Sequence, residues 1–312
     1  MPLHGRDVVS IRDLSREEII SVLDDAKKMI PLAEGNRVSS LLAGKLIAMA
    51  FFEPSTRTRL SFESAVHRLG GSCLTIAEPN ANSLRKDDNL YDTIRMLSSY
   101  ADAIVLRHPN EGAARMAART SDRPVINAGD GVGQHPTQTL QDLATIREQL
   151  GTLAGLTVVL LGDLKYGRAV HSLAYALARF DSEIILSSPS AFRLPEELRE
   201  NLTHEGAKVR EEPDLGKAIR DADVLYVTRI QKERFLDETE YRTVVGPYNV
   251  DARVLAEAKP KLIVMHPLPR TGELAPEVDQ TPHAVYFRQA FLGVPVRMAL
   301  LTAVLGPTKR GG

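Results

Sequence analysis

The stretch 51–63, FFEPSTRTRLSFE, gathers the hydroxyls of Ser55, Thr56 and Thr58, the guanidiniums of Arg57 and Arg59 and the carboxylate of Glu53. It follows residues 46–52, seven apolar positions without a charge, which suit a strand buried on both faces. Phe62, Ala65, Val66 and Leu69 then fall at helical spacing before the stop Gly70-Gly71. Ser55 is therefore read as the N-cap of a helix whose first turn holds Thr56, Arg57 and Thr58. Such a helix start aims unpaired N–H groups and a positive dipole end at whatever lies before it, which is the chemistry of an anion site. Cations there oppose the dipole unless an anion, or Glu53 and Glu63, compensates. The competing reading is an ordinary serine cap followed by solvated arginines.

Other polar groups also follow apolar runs. A strand at 103–106 ends at Arg107-His108-Pro109, and a loop with three glycines, 129–134, leads to His135-Pro136-Thr137-Gln138. Pro136 fits the first helical position. With His135 as cap, its ring and the Gln138 amide would project into one pocket as two neutral donors; the alternative for His135 is a cap or packing role alone. Arg168 follows the run 156–161, Arg229-Ile230-Gln231 follows 224–228, and His266-Pro267-Leu268-Pro269-Arg270 follows 262–265. Gly162 and Gly167 have P-loop spacing, but Arg168-Ala169 replaces the Lys-Ser/Thr such a loop requires. Four guanidiniums after strands, Arg57, Arg107, Arg168 and Arg229, suit substrates with several negative charges. His135, Asp163 and His266 form no recognised metal spacing, and no serine or cysteine nucleophile has an evident partner. The chemistry left is transfer by positioning and electrostatics, with His135 polarising an oxygen.

The elements that hold these residues read as α/β. A capping box, Ser15 with Glu18, opens an amphipathic helix through Ile19, Val22, Leu23, Ala26 and Ile30. Strands and helices then alternate: a short strand at 73–77, a polar loop at 78–89, a helix through Leu90, Ile94 and Leu97, an alanine-rich helix at 111–119 and a strand at 125–127. Gly151 to Gly155 is a plausible domain end, after which the pattern begins again. Val296, Ala299, Leu300, Ala303 and Val304 mark a C-terminal core helix. Ligands in such parallel sheets lie off the carboxyl ends of the strands.

The 312 residues suit about two domains, and 43% hydrophobic content is ample for two cores. A formal net charge of −1 offers no case for nucleic acid or an anionic membrane. The single cysteine, Cys73, excludes an internal disulfide and is read as a small buried apolar residue in a reducing compartment. No signal core or run of 18 apolar residues is present, so a soluble, cytoplasmic protein is expected.

Taken together, Ser55-Thr56-Arg57-Thr58-Arg59, Arg107-His108-Pro109, His135-Pro136-Thr137-Gln138 and His266-Pro267-Leu268-Pro269 resemble the signature set of the aspartate/ornithine carbamoyltransferase family, over nearly the whole chain. Within it, Pro267 and the run 229–234 are similar to the branch that uses aspartate; ornithine enzymes typically carry His-Cys-Leu-Pro. The resemblance implies two domains, each a parallel sheet flanked by helices: 1–150 binding carbamoyl phosphate, 151–285 binding aspartate, and 286–312 a helix returning to the first. It implies transfer of a carbamoyl group from carbamoyl phosphate to L-aspartate in pyrimidine biosynthesis, with no metal or organic cofactor and with another acceptor such as ornithine as the alternative.

Carried over residue by residue, the resemblance gives the phosphate to Ser55, Thr56, Arg57, Thr58 and Arg107. The carbamoyl group falls to Arg107, His135, Gln138 and the backbone near Leu268 and Pro269. Aspartate falls to Lys86, Arg168, Arg229 and Gln231, and an interdomain bridge to Glu53, Arg168 and Arg234. It further implies a homotrimer with shared sites, in which a loop lends Lys86 and a serine to the neighbouring subunit. Anchoring on Leu90-Tyr91-Asp92-Thr93 puts Asn82 at the serine position, while Ser83 matches with a one-residue shift. Asp87-Asp88 replace the usual Gly-Glu after Lys86, and Ala169 stands where relatives often have Thr. A regulatory chain as partner is left open by the sequence.

Overall fold

Six uncharged apolar residues leave no face of a strand suited to water, and Leu46–Phe51 (β1) is an inner strand of a sheet. In the computed structural model, which describes residues 3–76, 89–230, 239 and 244–306, the chain divides into two compact units. The first joins Met1–Ala144 to Phe291–Gly312, and the second is Thr145–Ala290.

In the first unit, β1 pairs in parallel with Ser72–Thr75 (β2) and Ala103–His108 (β3), and β3 pairs with Val125–Asp130 (β4), giving the order β2-β1-β3-β4. The helices Arg16–Ala33 (α1), Thr56–Arg68 (α2), Leu90–Tyr100 (α3) and Ala113–Thr120 (α4) accompany them. Ser15 makes both halves of the expected capping box with Glu18. Ile94, Leu97, Ala114 and Ala117 pack with Ala48, Ala50, Ile104 and Leu106 into one core cluster, where a fully buried aliphatic side chain contributes roughly 1.5–3 kcal/mol. Strands β3 and β4 run further than their apolar runs, so Arg107 and Asp130 belong to the strands themselves. Cys73 is half-buried on the edge strand β2, and burial together with Glu63 pushes its thiol up to about 11. The thiolate is therefore disfavoured.

The chain passes between the units within Pro136–Leu150 (α5) and again within the last helix. In the second unit Thr157–Leu161 (β5), Glu183–Ser187 (β6), Lys208–Glu211 (β7), Val224–Val227 (β8) and Ile263–Met265 (β9) form a parallel sheet of order β7-β6-β5-β8-β9. Its described helices are Arg168–Ala178 (α6), Glu196–His204 (α7), Leu215–Ile219 (α8) and Ala252–Leu255 (α9). Helix Tyr286–Leu305 (α10) is long and apolar enough to cross a bilayer, yet 72% of its apolar window is buried in the fold. From Phe291 onward it belongs to the first unit, the return expected of the C-terminal helix.

Both sheets reverse direction of growth once, between β1 and β3 and between β5 and β8. Such switch points leave a crevice at the carboxyl ends of the strands. Arg107 is the penultimate residue of β3, beside β1, and Arg168 and Arg229 follow β5 and β8.

Candidate active site

At the end of β1 the chain turns into α2 with Ser55 in the N-cap position, but the Ser55 side chain makes no capping hydrogen bond. Its carbonyl accepts from Arg59 N–H at 3.3 Å, whereas the N–H groups of Thr56, Arg57 and Thr58 find no acceptor among the described residues. Helix α2 thus keeps three donors of its first turn aimed outward. The three arginines near this turn differ in their partners. Arg59 faces Glu63 one turn on at 3.6 Å. Arg107 Nε lies 2.7 Å from Glu53 Oε1, and its Nη1 donates to the Ala128 carbonyl at 3.3 Å. Arg57 has no acidic partner among the described residues. Although the residue is exposed overall, desolvation lowers its guanidinium below the ordinary value.

The resemblance implies for Glu53 a bridge to Arg168 and Arg234; the pair with Arg107 is what the described residues of the first unit show. Phe51 and Arg107 are register partners of β1 and β3, so a carboxylate two residues past Phe51 meets the guanidinium near the end of the neighbouring strand. Arg234 lies outside the described residues, as do Gln231, Lys86, Asn82, Ser83, Asp87 and Asp88.

The glycine-rich loop after β4 is knotted around Asp130. Its Oδ1 accepts from Asn127 Nδ2 at 2.9 Å and Gln134 N–H at 3.0 Å, and its Oδ2 accepts from Gly112 N–H at 3.0 Å. Gly131, with φ near +50°, has no room for a side chain, because a Cβ there would lie 2.5 Å from Glu111 N. This loop delivers His135 to the start of α5, where it is buried. Its carbonyl accepts from Gln138 N–H at 3.0 Å and Thr139 N–H at 3.1 Å, and its ring Nδ1 accepts from Gln138 N–H at 3.3 Å. A ring that accepts at Nδ1 carries its proton on Nε2 when neutral. Capping and oxyanion chemistry are therefore not alternatives for His135: the cap fixes the tautomer that makes Nε2 the donor.

Gln138 departs from the expectation of a second converging donor. Its Nε2 donates to Asp142 Oδ1 at 2.8 Å, one turn along the same buried helix, so the amide nitrogen is already paired. The cause is the i, i+4 spacing, which stacks the two side chains on one helix face.

In the second unit, Gly162 and Gly167 owe their identity to backbone crowding. A Cβ on Gly162 would lie 2.2 Å from the Thr228 carbonyl, and one on Gly167 2.5 Å from that of Asp163. Arg168 then opens α6, half-buried, and half-buried Arg229 stands two residues past β8. The loop after β9 is anchored at both ends. His266 Nδ1 accepts from Leu268 N–H and its Nε2 donates to Glu273 Oε1, both at 2.8 Å. Burial acts to raise the Glu273 carboxyl, but hydrogen bonds from His266, its own backbone and Thr271 hold it below the usual range. Arg270 clamps Asp279 with both terminal nitrogens. Between these anchors Leu268 adopts φ of 55°, a left-handed conformation that costs a leucine about 1–2 kcal/mol. Strain of this kind collects at functional sites. The His266–Glu273 pair has no signature in the sequence beyond the histidine of its motif.

Two family models match the chain: the aspartate/ornithine carbamoyltransferase carbamoyl-P binding domain over residues 6–148, and the Asp/Orn binding domain of the same family over residues 154–304. The chain is 56% identical over 306 residues to the aspartate carbamoyltransferase catalytic subunit of Thermococcus gammatolerans, covering 98% of this chain and 99% of that one. The corresponding subunit of Thermococcus kodakarensis is 57% identical over 308 residues, with coverage of 98% and 99%. Among solved structures, the catalytic subunit of M. jannaschii aspartate transcarbamoylase superposes with a TM-score of 0.89 at 50% identity, covering 95% of this chain and 96% of that chain. Aspartate transcarbamoylase from Trypanosoma cruzi in complex with carbamoyl phosphate and aspartate gives 0.92 at 40% identity, covering 98% of each chain.

Proposed function

Because the chain belongs to the aspartate/ornithine carbamoyltransferase family, we propose that it transfers the carbamoyl group of carbamoyl phosphate to the amine of L-aspartate, giving N-carbamoyl-L-aspartate and phosphate in pyrimidine biosynthesis. The observation that carries the phosphate end is the start of α2, where three N–H groups and the Arg57 guanidinium meet no acceptor among the described residues. A phosphate dianion supplies what that turn lacks, with Ser55, Thr56 and Thr58 hydroxyls beside it and Arg107 reaching from β3. Arg168 and Arg229, with Gln231, favour an acceptor with two carboxylates over ornithine, whose side chain is itself a cation.

The neutral amine of aspartate attacks the carbamoyl carbon, His135 Nε2–H stabilises the oxygen as it gains charge, and the C–O bond to phosphate breaks. The departing phosphate takes the amine proton. Leu268 and Pro269 contribute backbone contacts to the carbamoyl group. A panel of acceptors tests this: turnover is expected with aspartate and not with ornithine. In the same assay series, Arg57→Ala removes a charge-assisted contact of roughly 1.5–3 kcal/mol, so the dissociation constant for carbamoyl phosphate should rise at least about tenfold. Unchanged binding by calorimetry would remove the α2 turn from the site.

The working assembly is a cytoplasmic homotrimer with shared sites. Seven of the nine large apolar side chains exposed among the described residues, Val38 and Tyr100 among them, lie in the first unit, which supports self-association there. In a ring, Lys86 of one subunit completes the neighbour's site. Lys86→Gln and His135→Ala are each expected to be nearly inactive, and refolding them together leaves one interface in four with both residues intact. Activity should then return to roughly a quarter of wild type for independent sites. Hybrids verified by native mass spectrometry that recover nothing would confine Lys86 to its own chain. The size of the protein from its native source distinguishes a bare trimer from one that carries a regulatory chain.

A further inference from the structure

Arg168 and Arg229 follow neighbouring strands of one sheet, β5 and β8, whose ends Leu161 and Val227 are register partners. Just past those ends the two chains touch backbone to backbone. The Leu161 carbonyl accepts twice from Thr228, from its N–H and from its Oγ1, both at 2.8 Å. Gly162 follows with φ of 110°, and a Cβ there would lie 2.2 Å from the Thr228 carbonyl and 2.8 Å from Thr228 Oγ1. Towards the other neighbouring strand, Gly162 N–H donates to the Ser187 carbonyl at the end of β6, at 3.1 Å. The turn is thus seated between β6 and β8. From Gly162 to Arg168 it is also tied to itself and to α6. Asp163 Oδ1 accepts from the N–H groups of Lys165 at 3.2 Å and Tyr166 at 3.0 Å, and His171 Nε2 donates to the Leu164 carbonyl at 2.8 Å. The Tyr166 carbonyl accepts from Arg168 N–H at 3.1 Å. A segment cross-linked in this way passes a shift at Gly162 on to Arg168 rather than absorbing it.

We propose that Thr228 and Gly162 are positioning residues that fix the span between the Arg168 and Arg229 guanidiniums, and with it the carbon-chain length of the dicarboxylate that the second unit accepts. The inference rests on the carbamoyl-transfer reading above, which gives the two arginines to aspartate. Two guanidiniums that each pair with one carboxylate of the same molecule select its length, because a bidentate pair tolerates little displacement. The span is set where the strands come closest. Thr228 supplies a hydroxyl that draws in the Leu161 carbonyl, and Gly162 lets the turn lie directly against the next strand. A methyl group in either place needs about 3.3 Å from a carbonyl oxygen, so it pushes the two arginine-bearing segments apart by roughly 0.5–1 Å. One more methylene, with a C–C bond of about 1.5 Å, lengthens a dicarboxylate by a comparable amount.

The test uses succinate, with the same carbon chain as aspartate, and glutarate, one methylene longer. Inhibition constants of both against aspartate turnover are measured on the purified full-length wild type, Gly162→Ala, Thr228→Val and Thr228→Ser. Wild type should bind succinate at least about tenfold better than glutarate, the scale of one methylene in a fitted site. Thr228→Val keeps the shape of the side chain and the N–H bond to Leu161, and should narrow that ratio at least about threefold; Gly162→Ala should narrow it further. Thr228→Ser keeps the hydroxyl and should keep the ratio. A merely structural loss would weaken both inhibitors together and leave the ratio where it was. Alanine at the positive φ of Gly162 strains the backbone, so if that variant does not fold, Thr228→Val carries the test alone. A wild type that does not separate the two inhibitors, a folded valine or alanine variant that narrows the ratio less than about threefold, or a serine variant that shifts it as far as valine does overturns the proposal and leaves the reaction assignment intact. A wild type that does not turn over aspartate with carbamoyl phosphate overturns the assignment itself.

Discussion

His135→Ala is expected to lower kcat by about two to three orders of magnitude, the scale of removing one oxyanion donor, with carbamoyl phosphate binding changed only modestly. The geometry behind this is the double use of one ring. Nδ1 accepts from Gln138 N–H at the start of α5, which leaves the proton on Nε2. Alanine removes both, and loss of a cap costs roughly 0.5–2 kcal/mol of stability. The two losses separate in His135→Asn, whose shorter side chain can cap the helix but does not carry a donor to the ring's Nε2 position. That variant should recover the melting temperature and not the rate. A fall in kcat of less than threefold in His135→Ala, measured under saturating substrates, would reduce His135 to a helix cap.

Arg297→Met is expected to destabilise the protein by about 3–5 kcal/mol, because it removes a fully buried cation that feels the charge of the buried Asp142. The substitution also removes the bond to Gln141 and the stacking on Phe62, the latter worth roughly 0.5–2 kcal/mol. Methionine fills similar volume, so a cavity is not the source of the loss. Adding Asp142→Asn to Arg297→Met should recover part of it, since the uncompensated charge is then gone. Urea unfolding of the wild type, both single variants and the double variant gives the coupling directly. A loss below about 1 kcal/mol for Arg297→Met would mean that Asp142 draws its compensation from elsewhere.

Much of this could be read from the chain. The capping box of α1, the uncharged run of β1 and the apolar stripe of α2 are local patterns, and each forms where its pattern lies. The motifs after the strand ends likewise carry the family's signature in the sequence itself. What stayed hidden depends on register or on choice among partners. Glu53 meets Arg107 because β1 and β3 align Phe51 with Arg107, and no property of either segment alone reveals that alignment. Gln138 turns its nitrogen to Asp142, a partner one turn away that competes with any ligand for the same amide. The edge strand β7 escaped notice because Lys208–Glu211 is mostly exposed and three of its four residues are charged. Helices α8 and α9, of five and four residues, are too short to show a period.

The first unit is assembled from two stretches separated by the whole of the second, and Arg297 lies in the later one. During synthesis, residues up to Ala144 emerge before Arg297 of α10 exists to stack on Phe62 or donate to Gln141. The second unit, Thr145–Ala290, is continuous and can close as soon as it clears the ribosome. The first unit, though begun first, is therefore completed last, and a chain that stops short of Arg297 lacks the side chain that meets Phe62 and Gln141 in the folded unit.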